Sequence, residues 1–126
     1  MIGQADETAF LDQVADFAAG PVRAGAPTWS IGESPAPSLF SEAAQIGLLS
    51  MSIPPEHGGA GFRFATLVRA YELLAAEDFG FAMSLVNTHN VGLRLCRSAP
   101  PDLIARHLPD LLSGETAACT ALTEPG

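Results

Sequence analysis

Three stretches of this chain hold residues whose types and spacing could do chemistry. The last, "ACTALTEPG" at 118–126, sets Thr120 and Thr123 among small residues. That pattern predicts an extended strand, in which successive side chains point to opposite faces, so Thr120 and Leu122 share one of them. Glu124-Pro125-Gly126 predicts a turn out of it. On the residues alone this is a strand-to-turn exit. The second stretch, "NTHN" at 87–90, places polar groups in the middle of an apolar run. Buried polar groups must find partners or water, so on the residues alone this reads as satisfied groups, such as His89 bonded to a backbone carbonyl. The third, "IPPEHGGAGF", carries Gly58, Gly59 and Gly61. It lacks the Gly-x-Gly-x-x-Gly spacing and the Lys-Ser/Thr ending of phosphate loops, so the glycines read as tight-turn residues.

Other constellations are weak. His57, His89 and His107 are dispersed, with no carboxylate at ligand spacing beside His89, so no metal is expected. Cys96 and Cys119 stand far apart without Cys-x-x-Cys spacing, which reads as free thiols in a reducing compartment. No residue is assigned a catalytic role.

About five helices must position these groups. "ADETAFLDQVADFAAG" aligns Phe10, Val14, Phe17 and Ala18 on one stripe, with Asp6 as N-cap and Gly20-Pro21 weakening the far end. "AGAPTWSIGESPAP" follows as a connector that Trp29 anchors. "SLFSEAAQIG" predicts a short helix capped by Ser38 and closed by Gly47. "RFATLVRAYELLAAEDF" predicts a third, with Phe64, Val68, Tyr71 and Ala75 on one row and Leu67, Tyr71 and Leu74 beside it. "GFAMSLVNTHNVGLRLC" is apolar on nearly every face, the mark of a central helix. "PDLIARHLPDLLSG" begins with Pro101 in its first turn, bends at Pro109 and ends at Gly114. A lone strand after five helices has no partner for its peptide groups, so the fold reads as unfinished.

Taken in order, these stretches resemble one family. "GLLSMSIPPEHGGAGF", "RAYELLAAEDFGFAMSL" and "HLPDLLSGETAACTALTEPG" are similar to successive segments of acyl-CoA dehydrogenases, the last to their Leu-Thr-Glu-Pro-Gly stretch. Pro55 and His57 stand where Glu and Tyr are commoner. The resemblance implies an all-α N-terminal helical bundle, a helical domain at 1–114, followed by the first strand of a β-barrel domain at 115–126. It implies an FAD cofactor with Thr120, Leu122, Thr123 and Gly126 among its contacts, and an acyl-CoA substrate. It also implies that the fourth helix borders the acyl chain, making Met83, Val86, Asn87 and Asn90 pocket-lining candidates. The activity implied is α,β-desaturation of an acyl thioester in fatty acid or lipid metabolism, by an intact homotetramer whose catalytic base lies outside these residues. The electron acceptor is left open, and the chain alone is expected to be inactive. Flavin monooxygenases and nitroalkane oxidases share the architecture, and a stand-alone helical interaction module is the alternative from another class.

Composition fits such a domain. Of the 126 residues, 48% are hydrophobic and 16% charged, which suits a packed core rather than a disordered chain. A net charge of −8 with only six basic residues argues against a nucleic-acid partner. "MIGQADETAF" has neither the basic nor the apolar region of a secretory signal, and no apolar run is long enough to span a bilayer, so the expected location is cytoplasmic.

Overall fold

The computed structural model describes residues 3–123 and 125, and every regular element among them is helical. Helix α1 spans Gln4–Phe17, α2 Arg23–Trp29, α3 Pro37–Gln45, α4 Phe64–Ala75, α5 Phe79–Ser98 and α6 Pro101–Ser113. The all-α class is as expected, with six α-helices among the described residues where about five were predicted.

The additional segment arises at Pro21. Asp6 is not the N-cap of α1; its carboxylate sits in the first turn and accepts from the Gly3 N–H at 2.9 Å, where negative charge suits the positive end of the helix. Phe10, Val14 and Phe17 are buried along one stripe, as their spacing predicts. Pro21 cannot donate to an α-helical ladder, but instead of stopping, the chain widens into one π turn, Ala18–Val22, and continues as α2. The stretch expected as a connector is therefore helical as far as Trp29. Burial outweighs its poor helix propensity: Val22 is fully buried, and the Trp29 ring packs 5.5 Å from that of Phe81.

α3 starts at Pro37 with Ala36 rather than Ser38 in the cap position, and Gly47 follows its end in a left-handed conformation. Of the two rows expected on α4, the one through Leu67 and Leu74 is buried and the one through Phe64 and Val68 is turned outward. Thr66, Leu67, Ala70 and Leu74 are its buried residues, while Phe64 and Val68 are 75% and 40% exposed. The cause lies in α1. The buried Glu7 carboxylate accepts from Arg63 Nε at 2.9 Å and from the Thr66 hydroxyl, which fixes the rotation of α4 and turns Phe64 outward.

The crossover between α3 and α4 is part of the core. Leu48, Leu49, Met51 and Ile53 are all but inaccessible, and the loop closes on itself through Ala60 N–H to Ser50 O and Gly61 N–H to Ile53 O, both 3.0 Å. A Cβ on Gly59 would lie 2.0 Å from the Ile53 carbonyl oxygen, so this glycine serves a close backbone approach, while Gly58 beside it takes a left-handed turn at φ 84°.

At its far end α6 stops at Gly114, with φ 78°, where a Cβ would come within 2.5 Å of the Phe40 carbonyl oxygen. Beyond it, residues 117–123 run without regular structure. The expected strand is not formed among the described residues: a ladder needs a second strand, and none of them supplies one.

Candidate functional site

α5 is the helix on which the polar stretch and the C-terminal segment meet. The Asp78 carboxylate starts it, accepting from the Phe81 N–H at 2.6 Å. With about 100° of rotation per residue, its side chains divide between two faces. Phe81, Ala82, Leu85, Thr88, His89 and Gly92 point into the core. Met83, Asn87, Asn90, Arg94 and Arg97 are exposed on the other side. The helix is thus central on one face only, although its apolar content suggested burial all round.

"NTHN" splits across this divide. His89 is 1% exposed; its Nδ1 lies 2.9 Å from the Leu49 carbonyl oxygen and its Nε2 2.7 Å from the Ser52 hydroxyl. A carbonyl can only accept, so Nδ1 carries the proton and Nε2 accepts from the serine. Burial lowers the imidazole pKa and keeps the ring neutral. His89 is a staple between α5 and the crossover loop, in keeping with the satisfied-residue reading. Thr88 fastens the other side: its hydroxyl donates to the Ser84 carbonyl at 3.0 Å and accepts from the Ala118 N–H at 3.1 Å. A further bond, Thr116 N–H to Asp110 O at 3.1 Å, ties the start of the same segment to α6.

Held in this way, the C-terminal segment forms a groove with the outer face of α5. Asn87 and Asn90 line it from the helix, Thr120 and Leu122 from the segment, and Leu93, Arg94 and Arg97 complete it. Four of the residues singled out by sequence therefore come together. Met83 and Val86 do not line this groove; they lie earlier on α5, exposed and half-buried respectively. Thr123 is exposed but not part of the lining, and Gly126, like Glu124, lies outside the described residues. Sequence reasoning missed Thr88, whose partner is 30 residues away, and the two arginines. Their signal was there: Asn87, Asn90, Arg94 and Arg97 repeat at spacings of three and four, one side of a helix.

Three of the six arginines are ion-paired among the described residues. Arg23 pairs with Glu77 at 2.6 Å, Arg63 with Glu7 at 2.9 Å and Arg69 with Glu72 at 3.1 Å. Arg94, Arg97 and Arg106 make no ion pair among the described residues. Both cysteines are free thiols. Among the described residues there is no cluster of three or more His, Cys, Asp or Glu that could hold a metal, and no helix long and apolar enough to cross a membrane.

Comparison with known proteins bears on the whole helical unit. Residues 4–115 match the sequence model of the acyl-CoA dehydrogenase N-terminal domain. The chain is 36% identical over 93 residues to a probable acyl-CoA dehydrogenase of Bacillus subtilis (strain 168), a match covering 70% of this chain and 15% of that protein. It is 29% identical over 87 residues to acyl-CoA dehydrogenase FadE12 of Mycobacterium tuberculosis (strain ATCC 25618 / H37Rv), covering 69% of this chain and 22% of that one. To the very long-chain specific mitochondrial acyl-CoA dehydrogenase of Homo sapiens it is 29% identical over 82 residues, covering 64% and 12%. In each case the match spans less than a quarter of the relative's length.

Proposed function

The chain belongs to the acyl-CoA dehydrogenase family as its N-terminal domain, and from that premise we propose that it supplies one wall of an acyl pocket and part of a flavin site in an enzyme that desaturates acyl-CoA thioesters between the α and β carbons. The observation that carries this reading is the groove in which Asn87 and Asn90 of α5 face Thr120 and Leu122. Thr120, Leu122, Thr123 and Gly126 are the flavin contacts in this reading, and Met83, Val86, Asn87 and Asn90 line the acyl chain. Residues 115–126 are then the start of the flavin-bearing β-domain.

The C-terminal segment suits a flat polar ring. The peptide groups of 119–123 have no backbone hydrogen-bond partner among the described residues, and Thr120 is exposed, so donors and acceptors are available to FAD or to a neighbouring strand. When bound, the flavin supplies the redox chemistry by accepting a hydride from the substrate's β-carbon. The chain's own contribution is placement. Thr88 holds the segment at Ala118, Gly114 directs it off α6, and His89 keeps α5 against the crossover loop. None of its residues is assigned as the base that removes the α-proton, so the chain by itself is inactive. Assembly as a homotetramer in the cytoplasm belongs to the same reading.

A graft tests it. The stretch of the Bacillus subtilis relative that matches this chain is replaced by the corresponding residues of this chain, and the product is assayed with acyl-CoA substrates and an artificial electron acceptor. The chimera should bind flavin and turn over acyl-CoA. A folded, flavin-loaded chimera with no acyl-CoA turnover, or turnover by the 126-residue chain alone, would sink the proposal.

A further inference from the structure

A second cavity opens where the connector between α2 and α3 passes the start of α5. It holds about 320 Å³, at the small end of the range for ligand sites, roughly 300–1,000 Å³. Trp29, Phe40 and Phe81 supply its aromatic wall, with the Trp29 and Phe40 ring centroids 5.5 and 5.4 Å from that of Phe81. Glu33 and Asp78 bring two carboxylates to the same cavity, and no basic residue lines it. It shares no residue with the groove of Asn87 and Asn90.

The wall is built in advance of any occupant. The Trp29 indole lies against Gly25, where a Cβ would come within 2.1 Å of the ring, and Phe81 beneath it is buried. Trp29 itself is half-buried and keeps part of its surface for a ligand. The hydroxyls of the lining have spent their protons: Ser30 donates to the Pro27 carbonyl and Ser84 to the Phe81 carbonyl, both at 2.7 Å. Their remaining capacity is to accept. The Asp78 carboxylate gives one oxygen to the Phe81 N–H, and neither it nor Glu33 forms an ion pair among the described residues. Most carboxylates of this acidic chain are unpaired in that sense; what matters for these two is the aromatic wall beside them. An anion would meet both carboxylates, and a neutral alkyl group would strip water from them without replacing it. The positive end of α5 works against a cation, but about half a charge does not offset two carboxylates. Aromatic rings with carboxylates beside them attract an organic cation, and an alkylated ammonium gives up its water more readily than a primary one. We propose that this cavity binds a small organic cation with an alkylated ammonium head. A lysine side chain of another protein offers related chemistry, and the experiment separates the two sources.

The chain has a single tryptophan, so the Trp29 indole N–H gives one reporter resonance at the site. The probes are choline, its neutral isostere 3,3-dimethylbutan-1-ol, and butylammonium in place of a lysine side chain, each titrated at pH 7 and constant ionic strength. Choline should shift the Trp29 indole and the Gly80 and Phe81 amides saturably. It should bind about fivefold more tightly than the neutral alcohol, as partly exposed cation–π contacts warrant. Glu33→Gln, at an exposed position, should lower that preference. Adding Asp78→Asn, which keeps an acceptor at the cap of α5, should abolish it. Glu42→Gln, exposed on α3 and outside the cavity, should leave it unchanged. Equal binding of choline and the alcohol overturns the proposal, as does a preference that survives the double substitution. Butylammonium binding as tightly as choline reassigns the cavity to a lysine side chain and overturns the alkylated head. No shift of the Trp29 indole by any probe overturns the site itself, and leaves the acyl-wall reading untouched.

Discussion

On the inner face of α5, His89 commits both ring nitrogens to Leu49 and Ser52, and Thr88 commits its hydroxyl to Ser84 and Ala118. On the outer face, Asn87, Asn90, Arg94 and Arg97 line a groove in which nothing described satisfies their side chains. Asn87, Thr88, His89 and Asn90 are consecutive in sequence, yet the inner pair is scaffold and the outer pair is open to a ligand. The difference is rotational. A buried polar group without a partner costs more than its hydrogen bonds return, so those turned inward were fixed by their neighbours. Those turned outward keep water as their partner and can exchange it for a ligand. The two faces should therefore respond differently to substitution: the inner face in stability, the outer in binding.

The largest effect belongs to His89. His89→Ala removes a fully buried ring and leaves the Leu49 carbonyl and the Ser52 hydroxyl without partners, at a cost of about 3 kcal/mol in chemical denaturation. Its titration sharpens the comparison. Burial depresses the folded-state pKa of His89 below the ordinary histidine value, so the unfolded chain binds the proton first on acidification. The stability His89 contributes is present above about pH 6.5 and declines as pH falls below it. His89→Gln should flatten that part of the pH profile, whereas an exposed change such as Asn90→Ala should leave it intact. An unchanged profile in the glutamine variant would show that the ring is not held neutral.

Glu7 comes next. Glu7→Ala orphans the Thr66 hydroxyl and frees Arg63, and should cost about 2 kcal/mol, with Glu7→Gln costing about half as much. If the carboxylate sets the rotation of α4, the alanine variant should also change solvent access to Phe64, readable as altered amide shifts along Phe64–Ala75.

Glu7 also shows where the sequence was legible and where it was not. Periodicity is a local property, and it placed Phe10, Val14 and Phe17 correctly because each lies within a turn or two of the next. It could not choose on α4, where two apolar rows compete and the choice between them is made by a residue 59 positions away. The same holds for the connector. Gly25, Pro27 and the Gly20-Pro21 pair predict a break, but the burial of Val22 and the stacking of Trp29 on Phe81 are long-range and keep it helical. Family resemblance reached further, because the order of the motifs carries long-range information that a single window does not. It singled out Asn87, Asn90, Thr120 and Leu122, which the fold brings into one groove. It said nothing of Arg94, which requires reading one exposed face to its end.

The smallest expected effect tests the seam between the two faces. Thr88 lies on the inner side of α5, yet its hydroxyl holds the segment that builds the outer groove, through the Ala118 N–H. Thr88→Val keeps the shape of the side chain and removes the hydroxyl. Ser84 and Ala118 are half-buried, so water can replace part of what is lost, and global stability should fall by less than about 1 kcal/mol. The local consequence should be clearer. With its anchor gone, the Ala118 amide should exchange with solvent about fivefold faster, the factor that corresponds to roughly 1 kcal/mol, while amides at the centre of α5 keep their protection. Thr88→Ser retains the hydroxyl and should restore most of the slow exchange. If the valine variant leaves the Ala118 amide as slow as before, the segment is held by something other than Thr88, and the groove does not depend on the inner face at all.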